Sequence, residues 1–258
     1  METPHRFDSL IALHDLTNDA DRVMPTAGCL ARRGCLDVRL LTVGSHGLED
    51  EARSDLAMHA RLLHGRSVTP IVIDGDQPAA AALAEYACEH PRALLCLAAH
   101  GRTAAGELAC GSMTDELLAR HVPMLVVGPH VTTDSITRDL LVCVDDWAVN
   151  GRLLDYASAW QLTFDADITL LEVVHPSAGN KSDATTDVQR AAQRLFADSL
   201  VVSASHDPVA AILDAAAESR GAVALATHHI RGIKRMILGS VAHEVIRWST
   251  TPVLVIPS

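Results

Sequence analysis

The chain has 258 residues, 48% of them apolar and only 3% aromatic, so its core must be aliphatic, as in buried parallel strands covered by Ala- and Leu-rich helices. A formal net charge of −11 argues against general nucleic-acid binding, which needs clustered Lys and Arg. The lysines are Lys181 and Lys234 alone, and neither completes the Gly-x4-Gly-Lys-Ser/Thr of a P-loop.

Taken in order, the apolar run Leu10–His14, ending at Asp15, reads as a first strand. Leu16-Thr17-Asn18-Asp19 is rich in capping residues and leads into a helical pattern over Val23, Ala27, Leu30 and Ala31, stopped at Gly34. Val38–Val43 reads as a strand, Glu49–His64 as an amphipathic helix and Val68–Ile73 as a strand. Pro78 sits near the start of an alanine-rich helix, Ala79–Glu89. The strand Ala93–Ala99 breaks at His100-Gly101 into a small-residue loop that reaches Gly111-Ser112. The helix Met113–Arg120 and the strand Met124–Val127 follow.

The pattern then begins again. Leu140–Val144 ends at Asp145, Leu153–Leu162 is helical, and Ile168–Val174 is a strand. Asp187–Leu195 reads as a short helix and Leu200–Ser203 as a strand. Asp207 is placed to cap a helix that opens at Pro208. Ala222–Thr227, a helix from Gly239-Ser240, and Val253–Ile256 complete the second half. Asp15/Asp145, Val43/Val173, Pro78/Pro208, His100/His228 and Gly111/Gly239 recur at a near-constant offset, the mark of a duplicated domain. The fold class expected is α/β: two tandem open-twisted, mostly parallel five-stranded sheets with helices on both faces, Rossmann-like, over residues 1–130 and 139–258, joined by a polar linker.

A strand, a glycine loop and a helix N-terminus converge free backbone N–H groups and the positive end of a helix dipole on one point, which suits phosphate. With the strand-ending aspartates, Leu-Leu-x-Val in the second strand, Gly-x2-Gly-x9-Gly-Ser/Thr and a fifth strand preceded by Pro, both halves resemble the universal stress protein family. The resemblance covers nearly the whole chain. It implies an adenine-nucleotide (ATP, ADP or AMP) ligand, with Mg2+ as companion ion, contacted in the first half by Asp15, Val43, Ala98, His100, Gly101, Gly111, Ser112 and Met113. Its second-half counterparts are Asp145, Val173, Gly239, Ser240 and Val241. It also implies pairing of the two halves through Met124–Val127 and Val253–Ile256 as an internal pseudo-dimer, and it leaves open a homodimer of the whole chain.

The pattern is imperfect. Ala98 replaces the first loop glycine, which is tolerable where φ is negative. In the second half Ala226 and His229 replace the first two glycines, and a side chain at the second stands where phosphate approaches the backbone. The expectation is therefore a better-preserved site in the N-terminal half and a weakened one in the C-terminal half, or, as the alternative, a degenerate scaffold that binds no nucleotide. Arg231, Lys234 and Arg235 near the second loop could screen polyphosphate, but charge further out does not relieve a steric block.

Ser112 and Ser240 read as helix N-caps, Ser112 in a capping box with Asp115, rather than as nucleophiles, because no Gly-x-Ser-x-Gly or His–Asp partner pattern surrounds them. His228-His229 lacks the Cys, Asp or Glu that would complete a metal-ligand set. Cys29, Cys35, Cys88, Cys96, Cys110 and Cys143 form no Cys-x2-Cys pair and read as reduced core thiols. Met1–Arg6 carries no charged-then-apolar signal and no apolar run approaches about 18 residues. A cytoplasmic, non-enzymatic binding protein is expected, with no membrane and no nucleic-acid partner.

Overall fold

The computed structural model describes residues 5–14, 22–43, 49–63, 65–73, 77–99, 112–132, 136, 138–144, 151–175, 182–219, 221–227 and 239–257. The first half runs β1 (Ser9–Leu13), α1 (Val23–Gly34), β2 (Asp37–Val43), α2 (Glu49–Ala60), β3 (Ser67–Ile73), α3 (Ala79–Glu89), β4 (Ala93–Ala98), α4 (Ser112–Ala119) and β5 (Met124–Val127). The second runs β6 (Asp139–Val144), α5 (Gly151–Phe164), β7 (Asp167–Val174), α6 (Ser182–Leu195), β8 (Ser199–Ala204), α7 (Pro208–Ser219), β9 (Ala222–Thr227), α8 (Ser240–Trp248) and β10 (Val253–Pro257).

The strand order is β3-β2-β1-β4-β5-β10-β9-β6-β7-β8. Each half is thus an open sheet that reverses its winding between its first and fourth strands. Every pairing is parallel except one. β5 and β10 run antiparallel, with Val253 opposite Val126 and Val255 opposite Met124. The two five-stranded sheets therefore form one ten-stranded sheet, and the seam lies where the resemblance placed it. The reason is physical. The paired strands are short, apolar on both faces and fully buried, and each covers the other's unpaired edge. At the outer edge β3 carries Pro70, which has no N–H to offer an incoming strand.

Period-two alternation splits the strand residues between two cores. Leu10, Leu40, Leu94, Leu125, Leu140, Leu170 and Leu254 pack with α1, α2, α5 and α6. Ile11, Leu41, Leu95, Val126, Leu141, Leu171 and Val253 pack with α3, α4, α7 and α8. Four of the aromatics, Phe7, Tyr156, Trp160 and Phe164, share the first of these cores, where the Trp160 and Phe164 rings of α5 meet at 4.6 Å, tilted by 59°.

Several elements differ from expectation. α2 stops at Ala60, short of His64, and α6 begins at Ser182, five residues before Asp187. Gly34 does not stop α1. It is the last helical residue, and Cys35 takes the left-handed cap at φ 50°. Gly34 instead permits a close approach: a Cβ there would lie 2.9 Å from Phe164 Cε1 and 3.1 Å from Thr163 Cγ2. The cysteines are not all core residues. Cys96 is buried, but Cys35 and Cys88 are exposed, and Cys110 lies outside the described residues.

Candidate functional site

Open parallel sheets leave a crevice beyond the C-terminal ends of their strands where the winding reverses. In the second half that point lies between β9 and β6, and a cavity of about 370 Å³ occupies it. That size falls within the range of small-molecule pockets. The ends of β6 (Cys143, Val144) and β9 (Leu225, Ala226, Thr227) supply two walls. Leu171 and Val173 of β7 close one flank, Pro208 and Ile212 of α7 another, and the first turn of α8 the last.

The polarity of this cavity comes from backbone and from the hydroxyl residues Thr227 and Ser240. The first N–H groups of any α-helix lack intrahelical partners. At the start of α7 they are capped, Asp207 Oδ1 accepting from Val209 N–H at 3.0 Å and Ala210 N–H at 3.1 Å, whereas the N-caps of α1 and α3 make no side-chain cap bond among the described residues. At α8 the N-cap is Gly239, with φ −59° and ψ 151°, and no side chain among the described residues caps the turn. Ser240 is thus not the cap expected from sequence. It is the first helical residue, and its side chain is exposed. A Cβ at Gly239 would meet nothing within 4 Å, so open space lies before these N–H groups. On the facing wall, Thr227 is 2% exposed and its Oγ1 has no hydrogen-bond partner among the described residues. A buried hydroxyl left unpaired costs about 1–3 kcal/mol. The site can therefore hold an anionic group at the helix start and an apolar body against Val173, Leu171 and Ile212.

Of the expected second-half residues, Val173, Gly239, Ser240 and Val241 meet at this cavity. Asp145 directly follows Val144 but lies outside the described residues, as does His229. Ala226 lines the cavity from a regular strand position opposite Ile256, without positive φ. In the first half, Asp15, His100, Gly101 and Gly111 lie outside the described residues. Ala98 is a buried β4 residue paired with Val127, so its extended backbone accepts a side chain without strain. Val43 and Met113 pack on the core layer that takes Val173 and Val241, while Ala98 and Ala226 pack on the opposite layer. The equivalent positions are thus placed alike in the two halves. Ser112 opens α4 with Asp115 in its first turn, and its side chain lies outside the described residues. Sequence reasoning missed Cys143, Thr227, Pro208 and Ile212 as lining residues. Thr227 had a signal, because it holds the last strand position before His228, where a polar residue ends an otherwise apolar run.

Among the described residues no group of three or more His, Cys, Asp or Glu could hold a metal ion, and no helix is long and apolar enough to cross a membrane.

Comparison with known proteins agrees with this architecture. Residues 137–257 match the model of the Universal stress protein family. No curated protein matches the chain. Among solved structures, a universal stress protein from Archaeoglobus fulgidus DSM 4304 superposes with a TM-score of 0.71 at 17% identity, over 96% of this chain and 98% of that one. A putative universal stress protein from Pseudomonas aeruginosa UCBPP-PA14 gives 0.67 at 17% identity, over 98% and 94%. At these identities the likeness establishes the fold alone.

Proposed function

We propose, starting from a chain whose residues 137–257 match the model of the Universal stress protein family and whose first half repeats the same strand order, that the protein binds an adenine nucleotide beyond the C-terminal strand ends and acts as a nucleotide-linked regulatory module. The units are assigned to residues 1–130 and 139–258. The observation that carries the reading is the α8 N-terminus, which no side chain among the described residues caps, standing at a cavity lined also by Thr227, whose hydroxyl has no partner among the described residues. Phosphate suits the first feature, and a flat, mostly apolar base suits the Val173 flank.

The two sites are proposed to differ. By the resemblance, Gly101 stands at the loop position nearest phosphate in the first half, and His229 replaces the glycine at its counterpart. The first half is assigned the tighter site and the second the weaker. Ala98 and Ala226, the substitutions that favour a non-binding scaffold, both occupy strand positions that accept alanine without strain, which weakens that alternative. Mg2+ enters this proposal only as an ion carried on the phosphates.

Regulation follows from linkage: a ligand that binds one conformation or assembly state stabilises it by mass action. The chain offers no Walker lysine, so the proposal is binding rather than rapid turnover. The test is to purify the protein under native conditions, denature it and identify the released small molecules by chromatography and mass spectrometry. ATP, ADP or AMP approaching one per chain supports the reading. No released nucleotide, together with no binding at millimolar ATP, sinks it.

A further inference from the structure

A second feature stands at the mouth of the same crevice and concerns a different ligand. His175 directly follows β7 and His206 lies between β8 and α7. His206 Nδ1 approaches His175 Nε2 to 3.1 Å, with the rings edge-on at 82° and their centroids 4.6 Å apart. Both residues are exposed.

Their backbones are fixed on either side. Ser205 N–H donates to Val174 O at 3.0 Å, extending the β7–β8 pairing to the residues next to the histidines. Just beyond His206, Asp207 is held on both sides: its N–H donates to Ser205 Oγ at 3.0 Å, and its carboxylate caps α7. A strand end and a capped helix start thus present two imidazoles to one point, so little side-chain order remains to be lost on binding.

We propose that His175 and His206 chelate a divalent transition cation of the Zn2+, Ni2+ or Cu2+ kind at the rim of the C-terminal crevice. Imidazole nitrogens bind such ions at about 2.0–2.1 Å, which sets two cis ligands about 2.9 Å apart at a right angle and about 3.3 Å apart at the tetrahedral angle. The observed 3.1 Å lies between these limits, so the two nitrogens already stand at a chelating separation and ring rotation turns both lone pairs onto a shared ion. Imidazole selects this class of ion over Mg2+ and Ca2+, which prefer oxygen donors. A hydrogen bond between two exposed imidazoles contributes little against competing water. Among the described residues no third His, Cys, Asp or Glu completes the set, which leaves coordination positions for water. Val173 and Pro208, each two residues from one of the histidines, line the cavity, so those positions adjoin it.

The chain has 14 histidines, so the test must be residue-specific. NiCl2 is titrated calorimetrically into the full, nucleotide-free chain after chelator treatment, in a non-coordinating buffer. His175→Ala, His206→Ala, the double variant and His243→Ala as control are compared, with folding checked by circular dichroism. The expected result is one site whose affinity falls tenfold or more in each single variant, falls no further in the double, and is unchanged in the control. No saturable binding, or binding that both single variants leave intact, overturns the proposal. Because the metal alone is the probe, the outcome is independent of whether the crevice binds nucleotide.

Discussion

The backbone N–H of Phe7 donates to Thr163 Oγ1 at 2.9 Å, a buried hydrogen bond that ties the lead-in to β1 in one half to the end of α5 in the other. The same hydroxyl donates to Ala159 O at 2.6 Å. One oxygen therefore satisfies a buried donor from the opposite half while anchored on its own helix. Thr163→Val keeps the shape and leaves the Phe7 N–H unpaired in the core. We expect a loss of about 1–3 kcal/mol in denaturant unfolding, with Thr163→Ser retaining most of the wild-type stability. Equal stability of wild type and the Val variant would remove this bond from the account of how the halves are joined.

Gly34 sits at the same junction. Its missing Cβ leaves room for the Phe164 ring and for Leu36 and Thr163, which would otherwise stand at 2.9–3.1 Å. Phe164 is 1% exposed and has nowhere to retreat. In an exposed helix Gly→Ala would stabilise. Here overpacking prevails, and Gly34→Ala is expected to cost about 1–3 kcal/mol. A raised melting temperature for this variant would contradict the packing described.

Asp139 opens β6 beside Asp167, its register partner on β7. Partial burial pushes its carboxyl pKa up. The neighbouring Asp167 and Asp198 charges act in the same direction, and Arg138 partly offsets them. A raised pKa means that the native state binds this proton more readily than the unfolded chain does. The ionised group is therefore a penalty at neutral pH, relieved as pH falls through the carboxylate range. Asp139→Asn should melt higher than wild type at pH 7, and the difference should close at acid pH. A variant that melts lower at pH 7 would show that the carboxylate is stabilising.

Thiol labelling of the native protein should sort the cysteines by burial. Cys35 and Cys88 are exposed and should react with an alkylating reagent under native conditions. Burial pushes the Cys96 thiol up to about 12, so it stays neutral and enclosed, and it should react only after unfolding. Peptide mass spectrometry reads each site, and native labelling of Cys96 would contradict its place in the core.

Local pattern carried most of the architecture. The apolar runs, the duplicated offsets and Asp207 before Pro208 each encode a short-range interaction, and the elements built on them appear where expected. The seam was legible through a resemblance, together with two short apolar strands that need cover. What escaped depends on distant contacts. Gly34 reads as a helix stop until Phe164, far along the chain, is found against it. Cys35 reads as a core thiol until the helix end turns it outward. Ser240 reads as a cap because residue type favours it, yet Gly239 takes the position and leaves the helix start open. Thr227 and the His175–His206 pair gain meaning only once β7, β8 and β9 are in register. The first-half loop residues, Asp15, His100, Gly101 and Gly111, lie outside the described residues, so their assignment rests on sequence.

The most direct test of nucleotide binding is calorimetric titration of ATP into wild type, Gly101→Val and Gly239→Asp. Asp at the α8 N-cap fits the open space, caps the helix and places a negative charge where phosphate would sit, so folding should be kept or improved while binding there is lost. The account predicts two classes of site in wild type, with the tighter removed by Gly101→Val and the weaker by Gly239→Asp. An isotherm with no saturable binding at millimolar ATP, or one that neither substitution changes, would contradict it.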